Sequence, residues 1–123
     1  MKFIKASVPV FDAADVRARF AEFPAVLAGA IALYLELAPE RIERLGTALA
    51  SRDEVAARDF AHALRGSSAN VGARELANFT GRIEHLVQGS QLDDACEQWP
   101  AVCAAWNRLR GALADSGPAL IAG

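Results

Sequence analysis

Residues 61–73 read Ala61-His62-Ala63-Leu64-Arg65-Gly66-Ser67-Ser68-Ala69-Asn70-Val71-Gly72-Ala73, and this stretch decides how the rest of the chain is read. Placed on a helix, Phe60, Leu64 and Ser67/Ser68 share one side, with Ala57 and Ala61 beside them. His62, Arg65, Gly66 and Ala69 share another side, with Arg58 and Asp59 one turn earlier. Burying Phe60 and Leu64 in a core therefore turns His62 outward. An outward imidazole beside a cation, with bare backbone one turn on, suits a nucleophile presented to a docking partner.

Outward from this stretch the apolar periodicity is helical throughout. Upstream, Asp12 is placed to cap a short helix over Ala13–Phe20. Pro24 suits the first turn of a second helix, Ala25–Leu37, which is apolar almost all round. Its small residues Ala25, Ala28, Gly29 and Ala32 form a stripe that reads as close helix packing in preference to a partner surface. Pro39 is expected to kink or restart that helix, after which Ile42, Leu45 and Leu49 recur at three and four. Glu40 and Arg44 are spaced to pair on the outside, and Asp53 is a further N-cap.

The His62 helix is expected to end near Asn70, with Gly72 in the left-handed conformation. The next helix shows Leu76, Phe79/Thr80, Ile83 and Leu86/Val87 on one face and stops at Gly89-Ser90. The last runs through Leu92, Cys96, Trp99, Val102/Cys103, Trp106, Leu109 and Leu113, with Pro100 expected to kink it without ending it. Asp115-Ser116-Gly117-Pro118 is expected to close the fold. No segment alternates with period two over strand length. The fold class is all-α: an antiparallel four-helix bundle (residues 8–115) with a short N-terminal helix, a leader at 1–7 and a disordered tail at 116–123.

Composition sets the class of protein. A chain of 123 residues is about one domain, and 53% hydrophobic with 23% charged residues reads as globular. The formal net charge is −2 and no basic run occurs, which argues against nucleic acid as a partner. Cys96 and Cys103, seven apart in one helical pattern, would sit about 10 Å apart along the axis. That is too far for a disulfide within an intact helix, and free buried thiols fit a reducing, cytoplasmic setting. The longest uncharged run, Phe23–Leu35, falls short of the ~20 residues a membrane helix needs. Residues Met1–Ser7 carry Lys2 and Lys5 with no apolar core following, so no secretory signal is expected. A soluble, cytoplasmic monomer without membrane association is the expectation.

At His62-Ala63-Leu64-Arg65-Gly66-Ser67-Ser68, continuing to Gly72, Leu76 and the Ile83-Glu84 pair, the chain resembles the histidine-containing phosphotransfer (HPt) domain family of bacterial two-component phosphorelays. The family signature is approximately His-x-Leu-Lys-Gly-Ser-Ser, so Arg65 stands where Lys is usual. The resemblance is looser through Phe11-Asp12 and Tyr34-Leu35…Ala38-Pro39, and it spans roughly residues 8–115. It implies that His62 is the phosphorylated residue, Arg65 the nearby cation, Gly66 the clearance residue and Glu84 a polar group that helps hold the histidine. It also implies a phosphotransfer intermediate, not a stand-alone kinase. Its partners would be a response-regulator receiver domain and a hybrid sensor histidine kinase, with Mg supplied by the receiver and no cofactor of its own.

The chemistry of the residues agrees with those roles. A phosphoryl acceptor needs a neutral ring nitrogen, and an unperturbed imidazole, with pKa about 6.5, is mostly neutral near pH 7. A cation one turn along offsets part of the charge on the phosphoryl oxygens, and Arg keeps that charge while adding a fork of donors. The two histidines lack His-x-x-x-His spacing and the carboxylates are scattered, so no metal site is expected. His85 has no motif around it and reads as an exposed polar residue. Gly66–Asn70 lacks the Gly-Lys-Ser/Thr ending and preceding strand of a phosphate loop. The rival reading is a bundle of the same fold that binds and inhibits a kinase or receiver without being phosphorylated. An intact His62-x-Leu64-Arg65-Gly66 set favours the carrier, because binding alone would not require that histidine.

Overall fold

Aspartates at the two predicted caps start two helices. Asp12 accepts from Asp15 N–H (3.1 Å) ahead of α1 (Ala13–Arg19), and Asp53 accepts from Ala56 N–H (3.1 Å) ahead of α3 (Glu54–Asn70). The computed structural model describes the backbone of residues 8–122 and the side chains of residues 8–115; the predicted leader at 1–7 lies outside the described residues. The other helices are α2 (Pro24–Ala50), α4 (Arg74–Gln88), α5 (Leu92–Glu97) and α6 (Trp99–Ala122), with no strand among the described residues. The chain is all-helical.

Helix α3 lies between α2 and α4, and its contact with α4 is the most extensive in the fold. The reason is in the sequence of α3: Ala57, Ala61, Leu64 and Ser68 are buried, and three of the four are small, so α4 approaches closely. Helix α4 meets it with Leu76, Thr80, Ile83 and Val87, and the buried Thr80 hydroxyl donates back to Leu76 C=O at 2.9 Å. Leu45, Leu64, Leu76, Ile83 and Leu109 are fully buried and tie α2, α3, α4 and α6 into one core. Each such side chain stabilises the fold by about 1.5–3 kcal/mol relative to exposure.

Gly72 takes φ +80° between α3 and α4, as the sequence predicts. A methyl group there would fall 2.7 Å from Val16 Cγ1, and Asp12 N–H donates to Gly72 C=O at 2.8 Å. Glycine is therefore required both for the turn and for the approach of α1. Glu40 and Arg44 pair on the outside of α2 at 3.0 Å.

Five expectations are corrected. The chain does not restart at Pro39: the expected Ala25–Leu37 helix and the segment after it are a single helix, α2, of 27 residues. Pro39 is exposed, and the buried register Tyr34, Ala38, Ile42, Leu45, Leu49 carries straight past it, so core packing outweighs the lost hydrogen bond to the Leu35 carbonyl. The last helix, by contrast, does divide, into α5 and α6 at Gln98. Pro100 offers no N–H to the Cys96 carbonyl, and a fresh helical start places it in the first turn, where that donor is not needed. The division seats the Trp99 ring over Gly46, where a methyl group would come within 2.5 Å of it.

Cys96 and Cys103 consequently lie on different helices, and both are half-buried free thiols instead of fully buried ones. The small-residue stripe of α2 does not pack: Ala25, Gly29 and Ala32 are exposed and Ala28 is half-buried. Leu27, Ile31 and Tyr34 take the inward face there, the first two against α1, leaving Val26, Leu33 and Leu37 exposed as well. Finally, α6 continues through Asp115–Pro118 to Ala122, since the residues beyond Pro118 are mostly good helix formers.

Candidate functional site around His62

Because Ala61 and Leu64 are drawn into the core, His62 projects from α3 with its side chain 64% exposed. The predicted site residues His62, Arg65 and Glu84 come together. Glu84, on α4, has a side chain only 12% exposed and sends its two oxygens to different partners. Its Oε2 lies 2.7 Å from His62 Nδ1, and its Oε1 accepts from Arg65 Nε–H at 2.7 Å. Arg65 Nη2 stands 3.2 Å from the same His62 Nδ1.

Nδ1 cannot both accept from Arg65 and donate to Glu84, and the charge state of Glu84 decides between the alternatives. Burial on its own raises the Glu84 carboxyl pKa. The hydrogen bonds from Arg65 and His62 outweigh it, and the net value falls below the usual 4.5. Glu84 is therefore an ionised, acceptor-only group. His62 Nδ1 must carry the hydrogen and donate it to Oε2, so Arg65 Nη2 is a neighbour of Nδ1 without donating to it. In the neutral ring, Nε2 then holds an unshared pair on the exposed edge. One carboxylate thus orients the ring, selects its tautomer and anchors the cation.

Gly66 sits beside His62 with open space around it: a methyl group there would meet nothing within 4 Å among the described residues. Ser67 and Ser68 follow Gly66 as small residues of α3. Ser68 does more, since its fully buried hydroxyl lies 2.7 Å from Tyr34 Oη and joins α3 to α2. Burial chiefly, opposed by that bond, pushes the Tyr34 pKa up to about 12. Tyr34 was not legible as part of the site's support, because an apolar-all-round helix does not reveal which residue faces α3. His85 is exposed, as expected, and shares a surface groove with Arg65, Gly81 and Arg82.

Among the described residues no three metal-ligating side chains converge, and no helix is long and apolar enough to cross a membrane. Comparison with known proteins adds one finding. A family model described as the Hpt domain matches residues 29–115, from near the start of α2 into α6, and so includes His62, Arg65, Gly66 and Glu84. Neither the curated proteins nor the solved structures compared with it gave a match. Hpt domains act in histidine phosphotransfer within phosphorelays and interact there with receiver and kinase domains. A match over well over half of its length, with the histidine motif inside it, places this chain in the Hpt domain family.

Proposed function

We propose that His62 Nε2 is the phosphoryl acceptor of a phosphocarrier that takes its phosphate from a receiver-domain aspartate and passes it to another receiver. The observation that carries this reading is the Glu84 Oε2–His62 Nδ1 contact of 2.7 Å, which leaves Nε2 as the free, exposed nitrogen. In the step, the Nε2 pair attacks the phosphorus of the aspartyl phosphate. The N–P bond forms as the P–O bond to the aspartyl carboxylate breaks, and the carboxylate leaves with the bonding pair. No proton has to move, because Nδ1 keeps its hydrogen. The phosphorylated ring is cationic, and Glu84 faces that charge. Onward transfer is the same step reversed, with a second receiver's carboxylate as nucleophile.

Arg65, half-exposed at the edge of the cluster, offsets part of the phosphoryl charge with the guanidinium N–H groups it does not give to Glu84. The divalent cation that phosphoryl transfer ordinarily uses, Mg, comes in this reading from the receiver. Nucleophile and phosphorus must approach to about 3–3.5 Å, so a receiver loop has to pass close over α3, and Gly66 supplies the clearance. The exposed Leu33 and Leu37 of α2 border a groove shared with Ser67 and Asn70 of α3, giving the receiver an apolar footing beside the nucleophile. The long helices are taken to form the antiparallel four-helix bundle over residues 8–115, acting as a cytoplasmic monomer.

Phosphotransfer profiling tests this. The purified chain is offered to a panel of labelled kinase and receiver proteins, together with His62→Gln and His85→Gln. Wild type and His85→Gln are expected to take label that is lost in acid and kept in alkali; folded His62→Gln is expected to take none. A chain that binds receivers yet takes no label would overturn the reading in favour of a non-phosphorylated binding protein.

A further inference from the structure

Gly81 lies inside α4, where glycine weakens a helix relative to alanine, and no turn or positive φ calls for it. The space around it identifies a cause. A methyl group on Gly81 would fall 3.0 Å from Arg65 Cδ and 3.8 Å from Arg65 Cγ, with nothing else within 4 Å among the described residues. Neither the α3 backbone nor any core side chain needs the missing methyl. The aliphatic stem of Arg65 alone uses the space as it crosses from α3 onto α4.

The crossing is what lets Arg65 reach Glu84. Gly81 and Glu84 are three apart and so lie one above the other on the α4 surface. With its stem over Gly81, the guanidinium lies along Glu84 with Nε at 2.7 Å from Oε1, while Oε2 stays free for His62 Nδ1. We infer that Gly81 is a positioning residue for the His62 site: its missing side chain seats Arg65 on α4, which holds Glu84 and through it the His62 ring. The consequence for transfer rests on the phosphocarrier reading above; the consequence for the ring does not.

An alanine at 81 would push the Arg65 stem outward by a few tenths of an ångström, and the Nε–H···Oε1 bond transmits that shift to Glu84. Gly81→Ala is therefore expected to keep or raise the melting temperature while slowing phosphotransfer roughly three- to tenfold. In an Arg65→Ala background the same change is expected to do nothing further to the rate, since the group it displaces is gone. Gly111→Ala, at an open helical position, serves as the control. The ¹⁵N shifts of the His62 ring provide a readout that needs no partner: Gly81→Ala is expected to move them in wild type and not in Arg65→Ala. A wild-type rate and unchanged ring shifts in Gly81→Ala would overturn the inference, as would an equal loss in the Arg65→Ala background. If wild type takes no label, the phosphocarrier reading falls, and the ring shifts still decide whether Gly81 positions the cluster.

Discussion

Glu84 Oε2 lies 2.7 Å from His62 Nδ1, joining residues 22 apart in sequence across the α3–α4 contact. Because Glu84 is ionised and mostly buried, this contact determines which imidazole nitrogen is left to react. Glu84→Ala should therefore release the ring and the Arg65 head together. A hydrogen bond involving a charged group contributes about 1.5–3 kcal/mol, so transfer should fall roughly tenfold or more. Glu84→Gln, which keeps one acceptor oxygen, should fall between the two. Transfer at the wild-type rate in Glu84→Ala would show the carboxylate to be a bystander.

Arg65 offers charge and reach. Arg65→Ala removes both, and its rate should fall about tenfold or more. Arg65→Lys keeps the charge but replaces the fork with a single ammonium, so it should recover most of the rate. Single-turnover transfer from a phosphorylated receiver measures both variants. A rate for Arg65→Ala equal to wild type would make Arg65 an ordinary surface cation.

Gly66 separates docking from folding. A Cβ there would meet nothing within 4 Å among the described residues, so a side chain can leave the helix without a clash at its root. Gly66→Gln should keep or slightly raise thermal stability, since glycine in a helix interior costs about 1 kcal/mol against alanine. Receiver binding, by titration, and transfer should both fall severely. An easily unfolded variant, or one that transfers normally, would contradict this assignment.

Tyr34 is the single tyrosine of the chain, so its ionisation is directly visible in ultraviolet absorbance. Its pKa in the fold is about 12 against an ordinary 10, so the fold holds this proton more tightly than the unfolded chain does. Stability from this group is fully present below pH 10 and declines by about 1.4 kcal/mol per pH unit up to about pH 12. Ser68→Ala, leaving the buried hydroxyl without its partner, should destabilise the fold by about 1–3 kcal/mol. Urea midpoints at pH 9 and pH 11 measure the first effect. Tyrosinate forming near pH 10 in the folded chain would contradict it.

The caps, the Gly72 turn and the buried face of α4 were legible because each depends on local chemistry. Asp12 and Asp53 bond within three residues, Gly72 needs a positive φ, and Leu76, Thr80, Ile83 and Val87 repeat at helical spacing. The His62 motif was equally local. The misread prolines show where local chemistry loses to packing. Pro39 and Pro100 impose the same backbone defect, yet only Pro100 accompanies a break, with a new helix starting at Trp99 so that the proline falls in its first turn. The α2 surface was illegible for a related reason: with apolar residues all round, periodicity does not say which side meets the core. The Glu84, Gly81 and Tyr34 contacts depend on how helices lie against one another, and spacing within one helix does not contain that information.

The central claim is that His62 Nε2 accepts the phosphoryl group, and ¹⁵N–³¹P NMR of the ¹⁵N-histidine-labelled phosphorylated chain tests it most directly. The account predicts one phosphorus, coupled to Nε2 of His62, with the Nδ1 hydrogen retained against Glu84. Phosphorus coupled to Nδ1, or carried on any other residue, would contradict it.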